Sequence, residues 1–185
     1  MQTGTPAVYW IIGIVVIIAI IVIAIAASRR ARSSQLQRRF GPEYDRTVQT
    51  TGDRAAAERE LADREKRVKK LKIVDLPDGA KARYAEEWRT IQARFVDDPN
   101  NSLNDADRLV GSVMRDRGYP MDDFDQQVAD LSPDHPIVVD NYRSAHAIAE
   151  RNAAGDASTE DLRQAMVHYR TLFEDLLGTS ARSTA

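Results

Sequence analysis

The chain has 185 residues, no cysteine and a formal net charge of −2. The missing thiols exclude cysteine nucleophiles, zinc–thiolate and iron–sulfur sites, and a disulfide-stapled scaffold. Apolar residues make up 43% of the chain, but segment 7–27 holds 20 of them in 21 positions, and the 158 residues that follow hold only 58. That division excludes a purely soluble protein and a multi-span transporter.

The segment 7–27 reads AVYWIIGIVVIIAIIVIAIAA and contains no charged residue. At about 1.5 Å per residue it reaches roughly 31 Å, the thickness of a hydrocarbon core. Unpaired backbone groups are costly in lipid, so a lone span is expected to be helical. Tyr9 and Trp10 stand at its N-terminal edge, suited to a headgroup interface, and Arg29, Arg30 and Arg32 follow its other edge, with Arg38 and Arg39 beyond. Residues 1–6 carry no charge. The positive-inside rule then places the N-terminus outside and the C-terminal part in the cytoplasm. A cleaved signal peptide, with Ala24-Ile25-Ala26 as the cleavage site, is the competing reading. It would require a basic n-region and an apolar stretch of about 7–15 residues, and neither is present. Gly13 has Ile17 four residues on, so no GxxxG pair supports dimerisation through the span.

Residues 28–72 carry a net charge of +7 and residues 73–185 a net charge of −9. Region 28–77 reads as a basic juxtamembrane segment followed by a charged helix. The arginine flank attracts anionic lipid as any stop-transfer flank does. Within 53–72, acid precedes base by four at Glu60/Arg64, Asp63/Arg67 and Glu65/Lys69, which supports a solvated helix. Only Leu61, Val68 and Leu71 form an apolar line. The expectation is a spacer helix of about 30 Å, lightly docked on one side, and not a coiled coil. Its lysines and arginines lack interleaved aromatics and precede an acidic domain, so no nucleic-acid partner is expected.

Large apolar residues concentrate after residue 83, which places the folded domain at 78–177. Tyr84, Trp88, Ile91 and Phe95 recur with helical spacing, and Asp97-Asp98-Pro99 marks a stop. Leu103, Ala106, Val110 and Val113 form a second stripe, capped by Asn101 or Ser102 and ended by Gly118. Met121, Phe124, Val128 and Leu131 suggest a short third helix. Val138, Tyr142, Ala145 and Ala149 mark a fourth, opened at Ser132-Pro133 or His135-Pro136. Leu162, Met166, Tyr169, Phe173 and Leu176 mark the last, behind a capping box from Ser158 to Asp161. No run alternates with period two. The fold class is therefore all-α: one N-terminal transmembrane helix, a charged spacer helix, and an irregular bundle of four or five helices, with 178–185 a flexible tail.

No Gly-rich phosphate loop or GxSxG elbow is present. Of His135, His146 and His168, only His146 has a possible helical partner, Glu150 at i+4, short of the three or four ligands a metal requires. Carboxylates at Asp122, Asp123 and Asp125 suit a helix N-terminus better than a calcium loop. No catalytic residue, metal, cofactor or small-molecule substrate is assigned. The turns Arg117-Gly118-Tyr119-Pro120 and Asp134-His135-Pro136 flank the short third helix. With the helix after them they offer a candidate partner groove of Tyr119, His135, Tyr142, Arg143 and His146; the alternative is that these residues only shape a corner of the bundle.

At Arg39-Phe40-Gly41-Pro42-Glu43-Tyr44-Asp45, Ala93-Arg94-Phe95-Val96-Asp97, Asp107-Arg108-Leu109-Val110, Arg117-Gly118-Tyr119-Pro120, Asp134-His135-Pro136 and Tyr142-Arg143-Ser144-Ala145-His146 the chain resembles a bacterial family of small proteins. Its members carry an N-terminal membrane helix and a helical domain, and they are described as hypothetical or secreted. The resemblance, over roughly 8–177, implies a bacterial source and supplies no activity, cofactor or site. The functional expectation is a single-pass protein of the bacterial inner membrane that tethers a cytoplasmic helical domain to a protein partner. The alternatives are a membrane-associated enzyme with a site around His146, Glu150, Tyr142 and Arg143, and an envelope-stress or anionic-lipid-responsive regulator working through the arginine flank.

Overall fold

The computed structural model describes residues 5–179, with the side chains of 5–9, 11 and 12 outside that description. Every regular element among the described residues is a helix. The first, α1, runs unbroken from Thr5 to Phe40 over 36 residues. It carries both the apolar segment and the arginines after it. Ile14, Ile17, Ile21 and Val22 are all at least half exposed, and the stretch is long and apolar enough to cross a membrane.

Beyond the arginines the same helix changes character. Ser33, Leu36 and Phe40 are buried at helical spacing. Gly41 breaks the helix with φ +49° and Pro42 opens α2, Pro42–Thr51, where a missing N–H costs nothing. Gly52, left-handed at φ +70°, ends α2, and the Asp53 carboxylate accepts from the Ala55 N–H at 2.8 Å to start α3, Arg54–Val68. Arg54 reaches Ser33 near the start of α3, and Glu65 lies 3.9 Å from Arg39 near its end. So α3 runs alongside α1 in the same direction, and α2 runs back between them. Leu36, Phe40, Tyr44 and Leu61 form a small apolar core among the three.

This differs from the expected spacer. The charged helix ends at Val68, not Lys72, and folds back on α1 and α2. The apolar line Leu61, Val68 and Leu71 understated its inner face: Ala57 and Ala62 are also buried, and their small side chains allow close approach. The pairs Glu60/Arg64 and Glu65/Lys69 form at 2.5 and 2.8 Å. Asp63/Arg67 does not, because Arg67 reaches Asp130 at 2.8 Å and Asp122 at 3.1 Å while Asp63 takes Lys66.

The remaining chain forms α4, Asp78–Arg94; α5, Pro99–Arg117; α6, Phe124–Leu131; α7, Val139–Ala153; and α8, Thr159–Leu176. Helices α7 and α8 pack as a hairpin, α5 lies against α8, and α4 against α5. Leu103, Val110, Val113, Met114, Tyr169 and Leu172 are fully buried between them. Trp88 stacks on Phe173 with centroids 4.9 Å apart, fixing α4 to α8. The Ser158–Asp161 capping box forms. Helix α5 is capped by Asp98, with Pro99 in its first turn, instead of by Asn101 or Ser102. Gly118 closes α5 at φ +95°, where a Cβ would stand 2.5 Å from the Lys72 carbonyl oxygen. Only glycine lets the Lys72–Ile73 strap pass this close, and the Val74 N–H then donates to the Arg117 carbonyl at 2.9 Å.

Candidate functional site

The junction between α1–α3 and the bundle is built on a buried acid. Glu43, in the first turn of α2, has a side chain 1% exposed and accepts from Arg64 Nη1 at 2.8 Å and from Arg143 Nη1 and Nη2 at 2.7 Å each. Arg64 is shared with Glu60, and Arg143 with Asp140. Burial alone would raise the Glu43 pKa, but the hydrogen bonds and charge of Arg143, then of Arg64, outweigh it and hold the carboxyl below its ordinary value. Four further pairs cross the same boundary. Arg67 meets the buried Asp130 and also Asp122, Arg39 meets Asp134 at 3.0 Å, and Arg46 stands 3.6 Å from Asp140. The segment that follows the apolar stretch is thus fastened to the bundle by ionic contacts at α2, α3, α6 and α7.

On another side of the bundle α5, α6 and α7 enclose a cleft of about 490 Å³ lined by Ser112, Arg115, Phe124, Gln127, Tyr142 and His146, among others. Tyr142 is buried, and its hydroxyl donates to Gln127 Oε1 at 2.7 Å. Burial, then the charge of Asp107, pushes its pKa up. The His146 ring stacks on Phe124 with centroids 3.7 Å apart and planes 11° apart, and its Nε2 lies 3.7 Å from Glu150. The walls are therefore aromatic and hydrogen-bonding, with Asp107 engaged by the Tyr169 hydroxyl, Arg108 paired with Asp105, and Arg115 in an exposed position at the rim.

The five residues expected to share a groove occupy three environments. Tyr142 and His146 line this cleft. Tyr119 and His135 sit elsewhere, ring centroids 6.3 Å apart, with Arg117 over the Tyr119 ring and His135 Nδ1 2.5 Å from Asp175 Oδ2. Burial raises the Tyr119 pKa. Arg143 turns to the junction and Glu43. The groove does not form as one surface because Tyr142 and Arg143, adjacent on α7, project from different faces of the helix. For the same reason His146, Glu150, Tyr142 and Arg143 do not converge on one point. The Ser112 hydroxyl donates to the Arg108 carbonyl at 3.0 Å. Among the described residues no group of three potential ligands could hold a metal ion.

Of the residues expected at the membrane interface, Tyr9 lies outside the described side chains. Trp10 is 75% exposed, and Arg29, Arg30 and Arg32 are exposed on α1. Glu43 and Asp130, the buried acids of the junction, were not singled out from the sequence. Glu43 stands in the first turn of a helix, where an acid is unremarkable, and Asp130 lies in the last turn of α6 among other acids of an acidic stretch. The available signal was Glu43 following Gly41-Pro42, which fixes a helix start against whatever precedes it. No protein-family model, curated protein or solved structure matches the chain.

Proposed function

We propose that this is a single-pass protein of the bacterial inner membrane that holds a helical interaction domain at the cytoplasmic face in a fixed orientation. One observation carries the reading: α1 runs without a break from an exposed apolar stretch into the buried core of α1–α3. No flexible linker separates anchor from domain, and the Glu43 junction extends the rigid connection to the bundle. The protein partner docks at the α5–α6–α7 cleft, where an aromatic wall, hydrogen-bonding groups and an exposed arginine suit a polar peptide segment. The uncharged N-terminal flank and the arginines after the span support the orientation.

The test is site-specific photo-crosslinking in cells, with the cross-linker at Ser112 in the cleft or at Val167 on the exposed side of α8. The reading predicts one reproducible protein neighbour from Ser112 that is absent from Val167 and lost in a His146→Ala variant. Cross-links to lipid alone, or the same neighbours from both positions, would refute it.

A further inference from the structure

A second cleft, of about 540 Å³, lies between α1 and the start of α3; α1 contributes Arg29, Arg30, Ser33 and Ser34, and Asp53, Arg54, Ala55 and Glu58 form the facing wall. We propose that it seats the headgroup phosphate of one anionic phospholipid from the leaflet that α1 leaves. The proposal rests on the membrane-anchor reading above and gives that anchor a specific lipid partner.

Three features converge. The first is depth. Arg29 stands two residues past the apolar stretch and Ser34 seven, so at about 1.5 Å per residue the cleft begins roughly 3 Å beyond the hydrocarbon edge and extends to about 10 Å. The headgroup layer of one leaflet is roughly 5–7 Å thick. The second is the fold-back. Helix α2 returns toward the bilayer, so the Gly52 turn and the first residues of α3 descend to the level of Ser33, as the 2.5 Å contact between Arg54 and the Ser33 hydroxyl records. A single basic helix emerging from a membrane would offer charge but no second wall; here α3 supplies one.

The third is charge accounting. The two carboxylates at the cleft are already engaged. Asp53 caps the Ala55 N–H, and Glu58 accepts from Tyr44 at 2.7 Å and from Arg54 Nε at 3.1 Å. Burial would raise the Glu58 pKa, but hydrogen bonds from Ser33, Tyr44 and Arg54 hold it low, so it stays ionised and its charge is met by Arg54. Arg29 and Arg30 have no hydrogen-bond or ion-pair partner among the described residues. Three arginines against two carboxylates leave the cleft a net charge of +1, with the Arg29 and Arg30 guanidiniums open to a ligand beside the Ser34 hydroxyl. Planar guanidinium donors match phosphate oxygens.

The full-length protein in detergent micelles, given equimolar dioleoyl-phosphatidylglycerol and dioleoyl-phosphatidylcholine, is examined by native mass spectrometry. Wild type is expected to retain one phosphatidylglycerol in preference to phosphatidylcholine. Arg29→Gln with Arg30→Gln should reduce that preference about tenfold, since a basic residue at the surface contributes about a kilocalorie each, lessened by screening. Arg38→Gln, on the same helix but outside the cleft, should leave it unchanged. No preference in wild type, or a loss of about threefold in Arg38→Gln, the share one charge of the double variant would carry, would overturn the site in favour of diffuse attraction. Displacement of the lipid by millimolar inorganic phosphate would overturn it in favour of a free-phosphate site. Alkaline extraction of cell membranes separates the two readings. A chain that resists extraction yet shows no lipid preference loses only the cleft, whereas a chain released by alkali loses the anchor as well.

Discussion

Replacing Glu43 with alanine perturbs the junction at its centre. The carboxylate is 1% exposed and receives three charge-assisted hydrogen bonds from two arginines whose side chains are 18% and 19% exposed. Removing one partner of a buried pair costs about 3–5 kcal/mol, mostly from the charge left behind. The effect is smaller here because Arg64 keeps Glu60 and Arg143 keeps Asp140, and both arginines retain some water. A loss of about 3 kcal/mol follows. For a chain of this length, that lowers Tm by roughly 6–12 °C. The assay is thermal unfolding of the full chain in detergent micelles, followed by near-ultraviolet circular dichroism, with Glu60→Ala as a control at an exposed carboxylate. A Glu43→Ala loss no larger than that of Glu60→Ala, within about 0.5 kcal/mol, would show that the junction is a surface ion pair and that α1–α3 is not fastened to the bundle.

Three further outcomes follow. The depressed Glu43 pKa makes its contribution fully present above the ordinary glutamate value of 4.5 and lost as pH falls through the lower folded value. Urea titrations should therefore show stability dropping below about pH 4.5 in wild type, and less steeply in Glu43→Gln. Leu61→Ala empties a fully buried position between α1 and α3 and should cost about 2–4 kcal/mol, measured by urea unfolding; a neutral result would mean that α3 stands free as a solvated spacer. Gly118→Ala forces a Cβ onto the Lys72 carbonyl at positive φ and should cost about 2 kcal/mol or more by the same assay, whereas Gly155→Ala, with open space around it, should show only the smaller backbone cost.

The helices of the bundle were legible because their apolar stripes are long and their ends carry Pro, Gly, Asp or Ser. Trp88, Tyr142 and Tyr169 all fall on faces the spacing foretold. What the sequence concealed was the use of charge. Thirteen charged residues in 53–72 read as a solvated surface, yet Arg64 and Arg67 leave their helix for Glu43 and Asp130, acids far away in the chain. Periodicity reports which side of a helix is apolar. It does not report which cation will meet which distant anion, because that depends on how the helices are docked. The same limit governed the candidate site. Tyr142, Arg143 and His146 are close in sequence, but a helix rotates successive residues by about 100°, so Arg143 is carried to the junction while Tyr142 and His146 stay together. The cleft beside Arg29 and Arg30 was invisible for a third reason: its second wall exists only because α2 folds back.

The central claim is that α1 crosses the membrane with the helical domain in the cytoplasm. Because the chain has no cysteine, single Gln2→Cys and Ser144→Cys variants can be labelled in intact cells with a membrane-impermeant maleimide. The account predicts that Gln2→Cys reacts in intact cells and that Ser144→Cys, exposed on α7, reacts only after lysis. Labelling of Ser144→Cys in intact cells would contradict it.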